Sequence, residues 1–329
     1  MGKDRGFYKE EKGSINLLLS IIVPCYNEAP VLDLFFNRTS AVTKQLQCDC
    51  EFIFVDDGSA DDTLPIMKRL ASENQNVFYY SFSRNFGKEA ALLAGLENCK
   101  GDLVVVMDAD LQDPPELLPK MVQAIEEEGY DSVGTRRVTR AGEPPIRSFF
   151  AHQFYKLIRR TSKVDIVDGA RDYRMMTRTM VNAIISMQER QRFSKGIFGW
   201  VGFHSKWIEF ENEPRAAGET KWSFWKLFTY ALDGLINFST APLRVASVVG
   251  FVISICSFIY LLIIIFKTLI LGIDTPGYAS MIVTVLLLGG IQLIAIGILG
   301  EYLSRNYLET KHRPVYIVRE QNLPEKTSD

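Results

Sequence analysis

The sequence predicts an α/β protein, a mostly parallel sheet layered with helices, followed by two long apolar helices. Three observations predict it. Four short apolar runs alternate with helix-like segments through the first 128 residues. Each run ends in polar or charged residues. Two uncharged stretches long enough to cross a bilayer lie in the last third.

With 329 residues the chain can bury a sizeable core, as one large domain or two smaller ones. A formal net charge of -2 carries no whole-chain signal for nucleic acid. The apolar content of 47% is unevenly spread, with the first two thirds reading as a soluble protein. Among the 5 cysteines, Cys48 and Cys50 form C-x-C, which is not the C-x-x-C spacing of zinc or redox sites, so reduced thiols are expected. His152, His204 and His312 match no ligand spacing.

Residues 1–16 read as a flexible polar lead without the apolar core and cleavage site of a signal peptide. Gly2 lacks the Ser or Thr at position 6 that a myristoylation signal needs. The apolar runs follow: 17–23 (LLLSIIV), 51–55 (EFIFV), 77–81 (VFYYS) and 103–107 (LVVVM). Continuous runs of this kind suit strands buried on both faces of a parallel sheet. Helices are expected between and after them, at 31–46, 62–72, 88–98 and 116–128. Open α/β sheets bind ligands beyond the carboxyl ends of their strands. Those ends carry Asn27 and Glu28, Asp56 and Asp57, Arg84 and Asn85, and Asp108 and Asp110. Four polar ends on one rim exceed what helix capping requires, and a shared site follows.

Asp108, Asp110 and Asp113 need a counter-charge if they crowd together. A hard divalent cation, Mg²⁺ or Mn²⁺, binds one or two such carboxylates together with substrate phosphates. If strand alternation persists past the run, Asp108 and Asp110 share a face and Gln112 follows on it. The first strand is not followed by G-x-G-x-x-G, and no G-x-x-x-x-G-K-[ST] occurs, so dinucleotide and P-loop readings lose support.

The stretches at 245–266 and 279–300 are expected to form a transmembrane hairpin. Arg244 before the first, and Arg305, Lys311 and Arg313 after the second, outweigh Lys267 in the connector. By the positive-inside rule both chain ends are cytoplasmic, at the cell membrane. Before the spans, Trp222, Trp225, Phe228, Leu232, Leu235 and Ile236 recur at helical spacing, so 216–244 is expected as interfacial helices. Residues 301–329 are expected as a cytoplasmic tail. Gly289, Gly290, Gly297 and Gly300 allow close helix packing, and with it a homo-oligomer.

Taken together, PCYNE, VDDGS, SRNFGKEAALLAG and MDADLQDPPE resemble the nucleotide-sugar half of family-2 glycosyltransferases with the GT-A fold, over 17–215. DGARDYRMM, RFSKGIFGWVGF, RAAGETKWSFWKL, APLR and GEYLSRNYLETKHRPVYIV resemble bacterial polyisoprenyl-phosphate glycosyltransferases of the bactoprenol glucosyl or N-acetylglucosaminyl type. The resemblance implies a UDP-sugar donor, an undecaprenyl phosphate acceptor and a Mg²⁺ or Mn²⁺ cofactor. It assigns nucleotide-sugar contacts to Pro24, Tyr26, Glu28, Asp56, Asp57 and Asp108, and the metal to Asp108, Asp110 and Gln112. It places Arg136 and Arg147 on the acceptor phosphate, Arg215 and Lys221 beside the diphosphate, and makes Asp172 the proposed catalytic carboxylate. Processive synthases carry Q-x-x-R-W where this chain has Ser194 and Lys195 in the last two places, so a single transfer is expected.

A phosphate monoester has a second pKa of about 6, so the acceptor is mostly dianionic at neutral pH and needs little help from a base. Asp172 is therefore expected to position groups, with Arg136 or Arg174 as its partners. The stretch RRVTRAGEPPIR reads as a loop able to close over the acceptor. A lipid-linked sugar implies a flippase and an extracytoplasmic transferase as separate partners. Two other readings stay open: a GDP-mannose-dependent polyprenyl-phosphate mannose synthase, and a non-catalytic membrane scaffold. A D-x-D-x-T phosphatase is disfavoured, because Gln112 stands where the threonine belongs.

Overall fold

The computed structural model describes residues 17–46, 48–137, 169–210, 241–271 and 277–322. Residues 216–240 of the interfacial segment expected at 216–244, and the lead at 1–16, lie outside these.

The chain begins with β1 (Leu18–Cys25), α1 (Ala29–Thr43), β2 (Asp49–Asp56), α2 (Thr63–Glu73), β3 (Val77–Phe82), α3 (Lys88–Asn98) and β4 (Leu103–Val106). A 3₁₀ turn (Pro115–Leu117) leads into α4 (Leu118–Glu126). Then come β5 (Ser132–Arg137), β6 (Ala170–Thr177), α5 (Arg178–Ser186), α6 (Ser194–Trp200) and β7 (Ser205–Phe210). Two long helices, α7 (Ala241–Leu271) and α8 (Tyr278–Thr310), precede a short β8 (Val318–Gln321).

The eight strands form one sheet in the order β7-β5-β6-β4-β1-β2-β3-β8. β1 lies between β2 and β4, and β3 beyond β2, all parallel, so these four strands end on one rim. Both faces of the parallel part are buried, as continuous apolar strands require. Ile21, Val23, Phe52, Phe54 and Val105 pack on one side with Phe35 of α1 and Met121 of α4. Ile22, Ile53, Val55, Val104 and Val106 pack on the other with Ala91 of α3 and Ile184 of α5. Gly95 permits the close approach of α3, because a Cβ there would lie 2.2 Å from Ile22 Cγ2.

β6 is antiparallel to both β4 and β5. Leu103 pairs with Thr177 and Val106 with Arg174. The same register carried two residues further sets Asp172 opposite Asp108. Antiparallel pairing thus brings the start of β6 to the rim where the parallel strands end.

α7 and α8 pack against each other. Within them, Val245–Ile264 has mean hydropathy 2.6 and Leu287–Thr310 has 1.6, and neither window is buried. Each helix is long and apolar enough to cross a membrane by length and composition. Both helices extend beyond the spans expected at 245–266 and 279–300. Residues 241–244 already belong to α7, and α8 runs ten residues past Gly300, to Thr310. Within the stretch expected as a tail, residues 318–321 form a strand. β8 pairs antiparallel with β3 at the sheet edge, Tyr316 stacks on Phe82, and its hydroxyl donates to Glu97 at 2.5 Å. An edge strand leaves backbone groups unpaired, and β8 satisfies those of β3.

Candidate active site

The rim is built from two kinds of carboxylate. The first kind sits at the end of β2. Asp56 is buried and accepts from the Ser59 amide at 2.9 Å and the Ser81 hydroxyl at 2.7 Å. Asp57 accepts from the amides of Phe86 at 2.6 Å and Gly87 at 2.9 Å. These amides lie just before α3, so Asp57 fixes the chain where it enters that helix. Burial raises the Asp57 carboxyl, and the two amides partly offset this. Gly58 has φ +68°, and a Cβ there would meet the Arg84 carbonyl carbon at 2.5 Å. The VDDGS stretch therefore clamps the start of α3. Beside it, Pro24 pairs with Val55 inside the sheet, Tyr26 is exposed, and Glu28 precedes α1. Asn27, at φ 55°, donates its amide to Ser59 and accepts from Ala60, tying the two strand ends together.

The second kind belongs to β4 and β6. The Lys88 ammonium lies 2.7 Å from Asp108 and 2.6 Å from Asp172, bridging the two strands. Lys195 approaches Asp172 at 3.9 Å and donates to the Ala170 carbonyl at 3.1 Å. Burial works against the charge on Lys88, but the two carboxylates outweigh it and hold the ammonium well above the lysine range. Burial likewise opposes ionisation of Asp172, yet Lys88 and Lys195 hold it well below the usual carboxylate range.

Sequence spacing did not point to Lys88. A signal was present: a lysine opening a helix sits against the positive end of the macrodipole and costs stability unless anions face it. Asp108 and Asp172 are those anions. The partners expected for Asp172 are engaged elsewhere. Arg136 pairs with Glu209 through its Nε at 3.0 Å. Arg174 is buried, with Trp207 at 4.7 Å and Phe198 at 5.1 Å from its guanidinium carbon, and donates to Ser132. Arg147, Arg215 and Lys221 lie outside the described residues.

Strand alternation does not persist beyond β4. The chain turns at 109–111, with Leu111 at φ 56° and Asp110 accepting from the Gln112 amide at 3.1 Å. Asp108 and Asp110 therefore do not project as neighbours on one strand face. Asp113 turns inward, buried, and pairs with Arg171 at 2.8 Å. Burial pushes its carboxyl up to about 6 against the pull of Arg171. Arg171 also lies 3.5 Å from the Gln112 side-chain oxygen.

Among the described residues no three His, Cys, Asp or Glu side chains gather into a cage for a metal ion. The donors at Asp108, Asp110 and Gln112 are all oxygens, and the Asp108 side chain is 25% exposed. That set fits a hard divalent ion whose remaining ligands come from substrate phosphates, the usual manner of Mg²⁺.

Residues 20–185 match the family Glycosyl transferase family 2. An uncharacterized glycosyltransferase of Synechocystis is 46% identical over 300 residues, covering 91% of this chain and 94% of that protein. A prophage bactoprenol glucosyl transferase homolog of Escherichia coli K12 is 40% identical, covering 92% and 98%. Among solved structures, mannosyl-3-phosphoglycerate synthase from Rubrobacter xylanophilus aligns with TM-score 0.45 at 18% identity, covering 66% of this chain and 71% of that one.

Proposed function

The chain belongs to glycosyl transferase family 2 and has a GT-A-like fold, and on that premise we propose that it transfers one hexose from a UDP-sugar to undecaprenyl phosphate. The reaction takes place at the cytoplasmic face of the cell membrane, with α7 and α8 as a two-pass anchor and both termini cytoplasmic. Relatives named bactoprenol glucosyl transferase favour glucose over N-acetylglucosamine. The lipid-linked sugar then passes to a flippase and an extracytoplasmic transferase.

The observation that carries this reading is the Asp108–Lys88–Asp172 bridge, which joins the end of β4 to the start of β6. A phosphate oxygen of the acceptor attacks the anomeric carbon. The bond from that carbon to the diphosphate oxygen breaks, its electron pair leaves with UDP, and the sugar is inverted. Asp108, Asp110 and Gln112 would hold Mg²⁺ or Mn²⁺ with the donor diphosphate. The ion supplies Lewis-acid stabilisation to the leaving group. Pro24, Tyr26, Glu28, Asp56 and Asp57 frame the nucleotide end. Lys88 and Lys195 supply positive charge where the phosphate dianion must approach two carboxylates.

Asp172 serves to position groups: Lys88 and Lys195 hold its carboxyl well below the usual carboxylate range, which makes it a weak base. With the acceptor's second pKa at about 6, transfer rises with pH through that value and then stays level. Asp172→Asn lowers kcat and is not rescued at high pH; recovery there would restore the base role.

The test of the whole reading is label transfer from UDP-glucose and from UDP-N-acetylglucosamine into undecaprenyl phosphate, with Mg²⁺ and with EDTA. Metal-dependent label from one donor is expected. Label from GDP-mannose alone would make the chain a mannose synthase. Absence of nucleotide binding would leave the scaffold.

A further inference from the structure

We propose that Glu309, at the end of α8, is a positioning residue for the transfer reaction. It acts through the connector at 187–193 on Ser194 and Lys195. The inference rests on the reading of transfer given above.

The connector between α5 and α6 has no regular structure, so its amides must find partners elsewhere. Two of them find Glu309. Its Oε1 accepts from the Arg190 amide at 2.8 Å and the Gln191 amide at 3.3 Å. The Arg190 side chain returns the contact, donating to the carbonyls of Arg313 at 2.7 Å and Glu309 at 3.2 Å. The last carbonyls of a helix lack partners within it, and a guanidinium also suits the negative end of its dipole. Arg305 of α8 adds a bond to the Gln191 side chain at 3.1 Å. The joint thus uses backbone and side chains on both sides.

Three residues further along, the same connector reaches the reaction centre. Ser194 donates both its amide, at 3.0 Å, and its hydroxyl to Glu89, the neighbour of Lys88 in the first turn of α3. Lys195 reaches Asp172 and the Ala170 carbonyl. One short segment therefore holds α8 at one end and both flanks of the Asp108–Lys88–Asp172 bridge at the other. Beyond α8, Tyr316 and β8 fix the chain to the sheet edge, so the helix end is clamped on two sides. In a helix that crosses the membrane, this joint sets the lysines relative to the lipid phosphate.

The Glu309 side chain is 40% exposed, so truncation leaves no cavity. In full-length protein in undecaprenyl phosphate-containing micelles, Glu309→Ala lowers kcat about ten-fold with donor KM within about two-fold of wild type. Amide exchange in the same variant quickens at 190–191 and also at 194–196. Glu309→Gln, which keeps an accepting oxygen, recovers most of the loss. A double variant with Ser194→Ala is no slower than the worse single variant, whereas independent sites would multiply. Unchanged kcat, exchange confined to 190–191, failure of Glu309→Gln to recover, or multiplicative losses would each overturn the proposal. The exchange arm needs no turnover. If wild type transfers no sugar, the reading of function fails while quickened exchange at 194–196 still supports the linkage.

Discussion

The two sides of the rim hold their carboxylates by different means. At the end of β2, Asp56 and Asp57 are held by amides of their own turn and of the loop before α3, and by the Ser81 hydroxyl of β3. Between β4 and β6, Asp108 and Asp172 are held by a lysine ammonium on a flexible stem. A carboxylate tied to backbone amides is part of the frame, since releasing it unravels a turn. One tied to an ammonium can exchange that partner for a metal ion without refolding anything. The frame and the exchangeable pair lie on one rim, and Asp57 links them by fixing the start of α3, from which Lys88 projects.

This contrast makes graded predictions. The largest effect is expected at Lys88. Lys88→Gln keeps the stem and removes the charge, and kcat for transfer should fall roughly 10²–10³-fold with little change in melting temperature. A loss below ten-fold would erase the distinction between the two sides. Next comes Asp57→Ala, which leaves two half-buried amides without an acceptor. Urea unfolding should register about 3 kcal/mol of lost stability. Asp57→Asn, which keeps one acceptor oxygen, should lose clearly less, and equal losses would show that the charge matters more than the amides. Gly58→Ala comes third. Its positive φ and the contact with the Arg84 backbone make about 1–3 kcal/mol the expected cost in the same assay. The smallest effect belongs to Arg136→Ala, because the pair with Glu209 is exposed on both sides and is worth under about 1 kcal/mol. Its acceptor KM is the sharper readout. A several-fold rise would mean that Arg136 leaves Glu209 for the lipid phosphate, and an unchanged value would remove it from the acceptor site.

The four apolar runs were legible because burial on both faces of a strand writes itself into consecutive residues. Helix α3 was legible for a similar reason, with Gly87 just before it and small and apolar residues through its length. The strands beyond β4 carry no such mark. β6 reads ARDYRMMT, and its buried Arg174 is acceptable only because two aromatic rings and Ser132 receive it. β8 reads VREQ, a polar edge strand whose existence depends on β3 offering a free edge. The D-x-D stretch was readable as an acidic rim, but the left-handed backbone at Leu111 has no compositional signal.

What the sequence by itself determined is local: the α/β alternation, the polar rim, and two helices too apolar to sit bare in water. Each follows from the periodicity or length of a contiguous segment. Only the tertiary structure decided which rim residues meet. Lys88 and Asp172 are 84 positions apart, and Arg190 and Glu309 are 119 apart. Their contacts depend on the pairing register of β6 with β4 and on where α8 and β8 return to the sheet. Register and return are settled by summed packing across the whole domain, so no single segment encodes them.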